Sequence, residues 1–131
     1  MADYERPQSL LIADSDALVR HGLAEYLRHC GYRVMEAASF EEAMTLLDWP
    51  DPDAQPDIVL SDIELGGGGN GFSLRAWLRE HRPGIKVALA GNPVAAAKAA
   101  GDLCEEGPEL ARPYDPQLVV DRIRRLLAPR P

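Results

Sequence analysis

Apolar residues in this chain follow two patterns that take turns. Short, nearly unbroken aliphatic runs predict strands at residues 9–14, 34–37, 58–62 and 85–90, with a weak fifth at 109–111. Runs without polar residues at alternate positions mark strands buried on both faces, as in a parallel sheet covered by helices. Between them, apolar residues recur every three or four positions. Leu18, Val19, Leu23, Tyr26, Leu27 and Cys30 form one such stripe, opened by Ser15 or Asp16 as cap and stopped by Gly31. Ser39 with Glu42 reads as a capping box ahead of Ala43, Met44, Leu46 and Leu47. A third helix is predicted over 72–81 with Leu74, Trp77 and Leu78 inward, and Asn92-Pro93 caps and starts an alanine-rich fourth. Asp115-Pro116 opens a fifth, carrying Val119, Val120, Ile123, Leu126 and Leu127. Residues 49–56, with Pro50, Pro52 and Pro56, predict a loop without helix or strand. Five strand–helix alternations with short connections imply a doubly wound α/β sandwich, one domain over 1–131 with its core at about 9–127 and loose ends.

The chemistry follows from where the runs stop. Two of them close on an aspartate, Asp14 and Asp62. In open α/β sheets ligands bind beyond the carboxyl ends of the strands. If these two strands are neighbours, the acids share one pocket, an arrangement that is costly unless a cation lies between them or one of them reacts.

Composition narrows the choice of partner. A net charge of −7 over 131 residues argues against direct nucleic-acid binding, and Arg122, Arg124 and Arg125 read as a solvated helix face. No apolar stretch reaches the length of a membrane span and no signal peptide opens the chain, so the cytoplasm is expected. Cys30 and Cys104 have neither metal-ligand nor redox spacing, and the expectation is two small buried or surface thiols rather than a disulfide.

Three segments stand out in order: Leu10-Leu11-Ile12-Ala13-Asp14-Ser15-Asp16-Ala17-Leu18-Val19-Arg20, then Pro56-Asp57-Ile58-Val59-Leu60-Ser61-Asp62-Ile63-Glu64-Leu65, and Arg112-Pro113-Tyr114-Asp115. Together they resemble the receiver domains of two-component response regulators. The resemblance covers roughly residues 9–127. It implies the flavodoxin-like (βα)5 fold with sheet order 2-1-3-4-5. It implies Asp62 as phosphoacceptor, taking a phosphoryl group from a sensor histidine kinase or a histidine phosphotransfer protein. It implies Mg2+ held by Asp14, Asp62 and the backbone carbonyl of Glu64. A carboxylate nucleophile needs a nearby cation to tolerate an incoming phosphoryl group, so the physics agrees.

Four departures from the family pattern alter that expectation. The second acid expected beside Asp14 is Ser15, which predicts a weakly held Mg2+. The hydroxyl residue expected after the fourth strand is Gly91, which removes a hydrogen bond worth about 1.5–3 kcal/mol. The usual lysine is Arg112, a planar fork in place of a compact ammonium. The switching aromatic is replaced by Glu109. Two readings follow: a receiver that is phosphorylated and signals by another route, or a pseudo-receiver that only binds.

Rival motifs are weaker. The run Gly66-Gly67-Gly68-Gly69-Asn70-Gly71 satisfies a dinucleotide fingerprint, but Asp62 and Glu64 would face the pyrophosphate and no acid follows the next strand. A flexible loop gating Asp62 is the better account. Asp14-Ser15-Asp16 also mimics haloacid-dehalogenase-like phosphatases, with Asp14 as nucleophile and Asp16 as acid/base; Gly101-Asp102, however, falls in a helical stretch. His21, His29 and His81 lack metal spacing, and Trp49 and Trp77 read as packing residues. The expected protein is a stand-alone cytoplasmic receiver, not an enzyme in the ordinary sense. It signals by protein contact through its fourth helix, fifth strand and fifth helix, without nucleic-acid or membrane binding and with room for a homodimer.

Overall fold

A computed structural model describes residues 8–106. Four parallel strands, β1 (Ser9–Ala13), β2 (Arg33–Ala37), β3 (Ile58–Asp62) and β4 (Lys86–Ala90), form one sheet in the order β2-β1-β3-β4. Helices α1 (Ala17–His29), α2 (Phe40–Leu47), α3 (Gly71–His81) and α4 (Pro93–Glu106) alternate with them. The fifth strand and last helix expected over 109–111 and 115–127, and with them the last place in the 2-1-3-4-5 order, lie outside the described residues.

The central strands are apolar on both faces because both are covered. Leu10, Ile12, Ile58 and Leu60 point to one face, where α1 and α4 bury Leu23, Leu27, Ala97 and Ala100. Leu11, Ala13 and Val59 point to the other, against Leu47, Leu74 and Leu78 of α2 and α3. Burial of these side chains, several at 0% exposure, is the main stabilising term, at about 1.5–3 kcal/mol for each large aliphatic group.

Local signals largely set the helix ends. The Asp16 carboxylate accepts from the Leu18 and Val19 N–H groups, so Asp16 rather than Ser15 caps α1, and Gly31 ends it at φ 102°. Ser39 caps α2 through the Glu42 N–H, while Glu42 reaches back to the N–H of Ala38, one residue before the cap. Asn70 and Ser73 form a reciprocal capping box on α3. Asn92 accepts from the Ala95 N–H ahead of Pro93.

Several expectations need correction. Leu18 is 53% exposed and outside the core, because its place in the first turn of α1 faces away from the sheet. Trp49 is 56% exposed on the loop after α2 and lies outside the core. That loop also contains a single 3-10 turn, Pro52–Ala54, which the Asp51 carboxylate initiates by accepting from the Asp53 N–H. The largest correction concerns the cysteines. Cys30 and Cys104 are joined in a disulfide, with Cα atoms 5.5 Å apart and 74 residues between them in sequence. Their spacing concealed this because α1 and α4 pack on the same face of the sheet and bring their C-terminal ends together. No helix of the described residues is long and apolar enough to cross a membrane.

Candidate functional site

The register of the sheet builds the site. Ala13 pairs with Ser61, so Asp14 and Asp62, each one residue further along, leave neighbouring parallel strands side by side at the carboxyl edge. Asp62 pairs in turn with Ala90 at the end of β4. The edge is therefore lined by Asp14, Asp62 and the backbone after Ala90.

The two acids are held differently. Asp14 is 7% exposed. Its N–H donates to Ala37, its carboxylate accepts from the Asp16 N–H at 2.9 Å, and its carbonyl accepts from the Arg20 guanidinium at 2.8 Å. Burial pushes its pKa up to about 6; the Asp16 N–H opposes this, repulsion from Asp62 and Asp16 adds to it, and Arg20 offsets part. Asp62 is half-buried, and its carboxylate accepts from the Glu64 N–H at 3.2 Å. Burial raises its pKa as well, hydrogen bonds from Glu64 and Ile63 pull it back, and the charges of Glu64 and Asp16 push it up. Both acids are thus easier to protonate than in water, chiefly because burial disfavours their charged forms.

Backbone contacts fix Asp62 in place. The Ile63 N–H donates to the Ala90 carbonyl, and the Gly71 N–H donates to the Ile63 carbonyl. A Cβ on Gly71 would stand 2.6 Å from the Asp62 carbonyl oxygen, so only glycine allows this approach. The preceding glycine loop is fastened to α2. The Phe40 N–H donates to Gly66, Glu41 accepts from the Gly68 N–H, and the Phe40 ring fills the space a Cβ on Gly69 would need. These anchors were not read from the sequence, where the glycines showed only as a flexible run.

The remaining candidates divide. Ser15 is exposed on the turn between β1 and α1. Gly91 follows β4, and a Cβ there would meet only Ile63 Cδ1 at 3.6 Å, so no steric demand calls for glycine. Glu64 is exposed, with its N–H on Asp62. Asp16, the cap of α1, also acts electrostatically on both Asp14 and Asp62. Arg112 and Glu109 lie outside the described residues. No three His, Cys, Asp or Glu side chains among the described residues converge on a metal position.

The response regulator receiver domain family matches residues 10–107. This chain belongs to that family. Over 65 residues the receiver is 38% identical to the transcriptional regulatory protein PdtaR of Mycobacterium tuberculosis, a match covering 49% of this chain and 30% of that protein. The chain thus spans well under half the length of the curated relative it matches. A protein from Chloroflexus aurantiacus described as a response regulator is 33% identical, with TM-score 0.58 over 93% of this chain and 98% of that one. The chemotaxis response regulator CheY4 of Vibrio cholerae shares the fold at TM-score 0.59 and 20% identity, over 93% of this chain and 100% of that one. Membership also answers the phosphatase motif: Asp102 lies within α4 rather than at a strand end.

Proposed function

We propose that this receiver accepts a phosphoryl group on Asp62 from the phosphohistidine of a sensor kinase or phosphotransfer protein, and passes the change on by protein contact. What carries the reading is the adjacency of Asp14 and Asp62 at the carboxyl edge, given by the Ala13–Ser61 pairing. In the transfer an Asp62 carboxylate oxygen bonds to phosphorus, the P–N bond to imidazole breaks, and the released nitrogen keeps the electron pair and takes up a proton. Gly71 and the Ile63–Ala90 bond hold the nucleophile in line, and Arg20 orients the Asp14 backbone.

The donor set fits Mg2+, which commonly takes one or two carboxylates and completes its shell with water and phosphate oxygens. Asp14, Asp62 and the Glu64 carbonyl would hold it, with Ser15 contributing at most a neutral oxygen. When bound, it supplies charge neutralisation for the incoming phosphoryl group. With two carboxylates in place of three acids its affinity is low. The cytoplasm is the setting that such a phosphodonor requires.

Incubation with acetyl phosphate and Mg2+ tests the proposal. The expected product is a base-labile acylphosphate with the mass gain of one phosphoryl group, absent in Asp62→Asn. The loss of a third acid and of a hydroxyl at Gly91 favours a second reading, a binding module indifferent to phosphorylation. Unmodified protein with every donor tried, together with partner affinity unchanged in Asp62→Asn, would decide for that reading.

A further inference from the structure

The sulfur pair lies away from the acidic site, yet one helix connects them. Cys30 is the C-cap of α1 and Cys104 lies in the last turn of α4, both buried. Two further contacts fasten the same end of α4. The Tyr32 hydroxyl donates to the Leu103 carbonyl at 2.6 Å in a buried bond, and Lys86 Nζ meets Glu106 Oε1 at 2.8 Å on the surface. The opposite end of α4 begins at Pro93, two residues beyond the Gly91 position, directly after the strand whose Ala90 is registered on Asp62. One end of α4 therefore rests on the sulfurs and the other on the acidic edge.

We propose that Cys30 and Cys104 are a reversible redox site whose oxidation locks α4 onto α1 and thereby slows phosphoryl acceptance at Asp62. The second half rests on the proposed phosphoacceptor role. In the reducing compartment where such phosphoryl transfer takes place, disulfides are transient and regulatory rather than permanent. The reduced state stays folded, since free thiols pack as small apolar groups among Leu27, Ala100 and Leu103, which are buried on the same face. The oxidant is a peroxide. One thiolate attacks its O–O bond, forming a sulfenic acid and releasing one water after protonation; the second sulfur then displaces the hydroxyl, forming S–S and releasing another. Two thiols and one hydrogen peroxide thus become one disulfide and two waters, with two electrons passing from sulfur to oxygen. A thiol reductant reverses the step by exchange. Because both sulfurs are buried, each direction waits for the end of α4 to fray.

The test uses the full chain, reduced, then treated with hydrogen peroxide, then returned to reduced glutathione. Alkylation of the denatured protein followed by mass spectrometry counts free thiols at each stage. The expected result is two thiols, then none in a monomer, then two again. Amide exchange across α4 slows by roughly tenfold in the oxidised form, and the rate of phosphoryl uptake from acetyl phosphate falls about fivefold. Cys104→Ser and Cys30→Ser show neither response to peroxide. Thiols still alkylated after peroxide, a bond that glutathione does not reopen, or equal α4 exchange and equal uptake in both forms each overturn the proposal. If no form and neither variant takes a phosphoryl group, the receiver chemistry fails and so does the regulatory half, while thiol counts and α4 exchange still decide the lock.

Discussion

The carboxyl edge of the sheet and the α1–α4 face are built on opposite terms. At the edge, the fold holds two carboxylates where burial and repulsion oppose their charge, and Asp14 is pushed to a pKa of about 6. On the α1–α4 face a disulfide, a buried Tyr32–Leu103 hydrogen bond and a layer of small alanines all favour the folded chain. Stability is concentrated on the face, and the destabilising groups at the edge are the ones proposed above to bind a cation and react. Sites that must receive charge are commonly less stable than their scaffold.

That contrast can be broken first at the disulfide. Closing a chain across 74 residues stabilises by about 4 kcal/mol through the unfolded state. Reduction of the wild type should therefore lower Tm by roughly 10–15 °C, measured by calorimetry with and without reductant. Cys104→Ser should remove the dependence on reductant.

Gly71→Ala attacks the edge sterically. Its Cβ would meet the Asp62 carbonyl and the Ile63 Cα, at 2.6 and 2.9 Å, and both are backbone with no freedom to turn aside. The expected cost is about 2–3 kcal/mol by denaturant titration, with phosphoryl uptake falling further than stability alone explains.

Asp14→Asn should move in the opposite direction. The folded chain holds the Asp14 proton more tightly than the ordinary value of 3.8, at about 6. The group therefore contributes full stability below pH 3.8, and that contribution is lost as pH rises through 6. Removing the charge should stabilise the protein at pH 7.5 in chelator by about 1–2 kcal/mol, discounted for solvent screening. The gain should vanish at low pH, and Mg2+ affinity should drop. Equal stabilisation at both pH values would show that charge is not the cause.

The smallest effect is expected for Tyr32→Phe, which leaves the Leu103 carbonyl without its buried donor. A loss of about 1 kcal/mol is expected, with faster exchange confined to the end of α4, measured by hydrogen exchange.

Much of this is legible in the sequence itself. Residues 10–13 and 58–60 read as strands because a strand covered on both faces has to be apolar at every position, a local pattern. The caps at Ser39, Asn92 and Asp16 or Ser15 were legible because one side chain beside its own helix satisfies N–H groups that would otherwise have no partner. Asp14 and Asp62 stood out because each closes such a run. Other features left no local trace. The Cys30–Cys104 bond depends on two helices sharing a face, and the exposure of Leu18 and Trp49 depends on which way a helix turn and a loop face.

What the sequence determined by itself is thus the alternation of strand and helix, the helix starts, and the two aspartates at strand ends. All of these come from interactions within a few residues. The tertiary structure alone decided that Asp14 is buried enough to resist ionisation, that Gly71 must press on the backbone of Asp62, and that two distant cysteines meet. Burial and contact between remote segments arise only when the whole chain packs around its sheet.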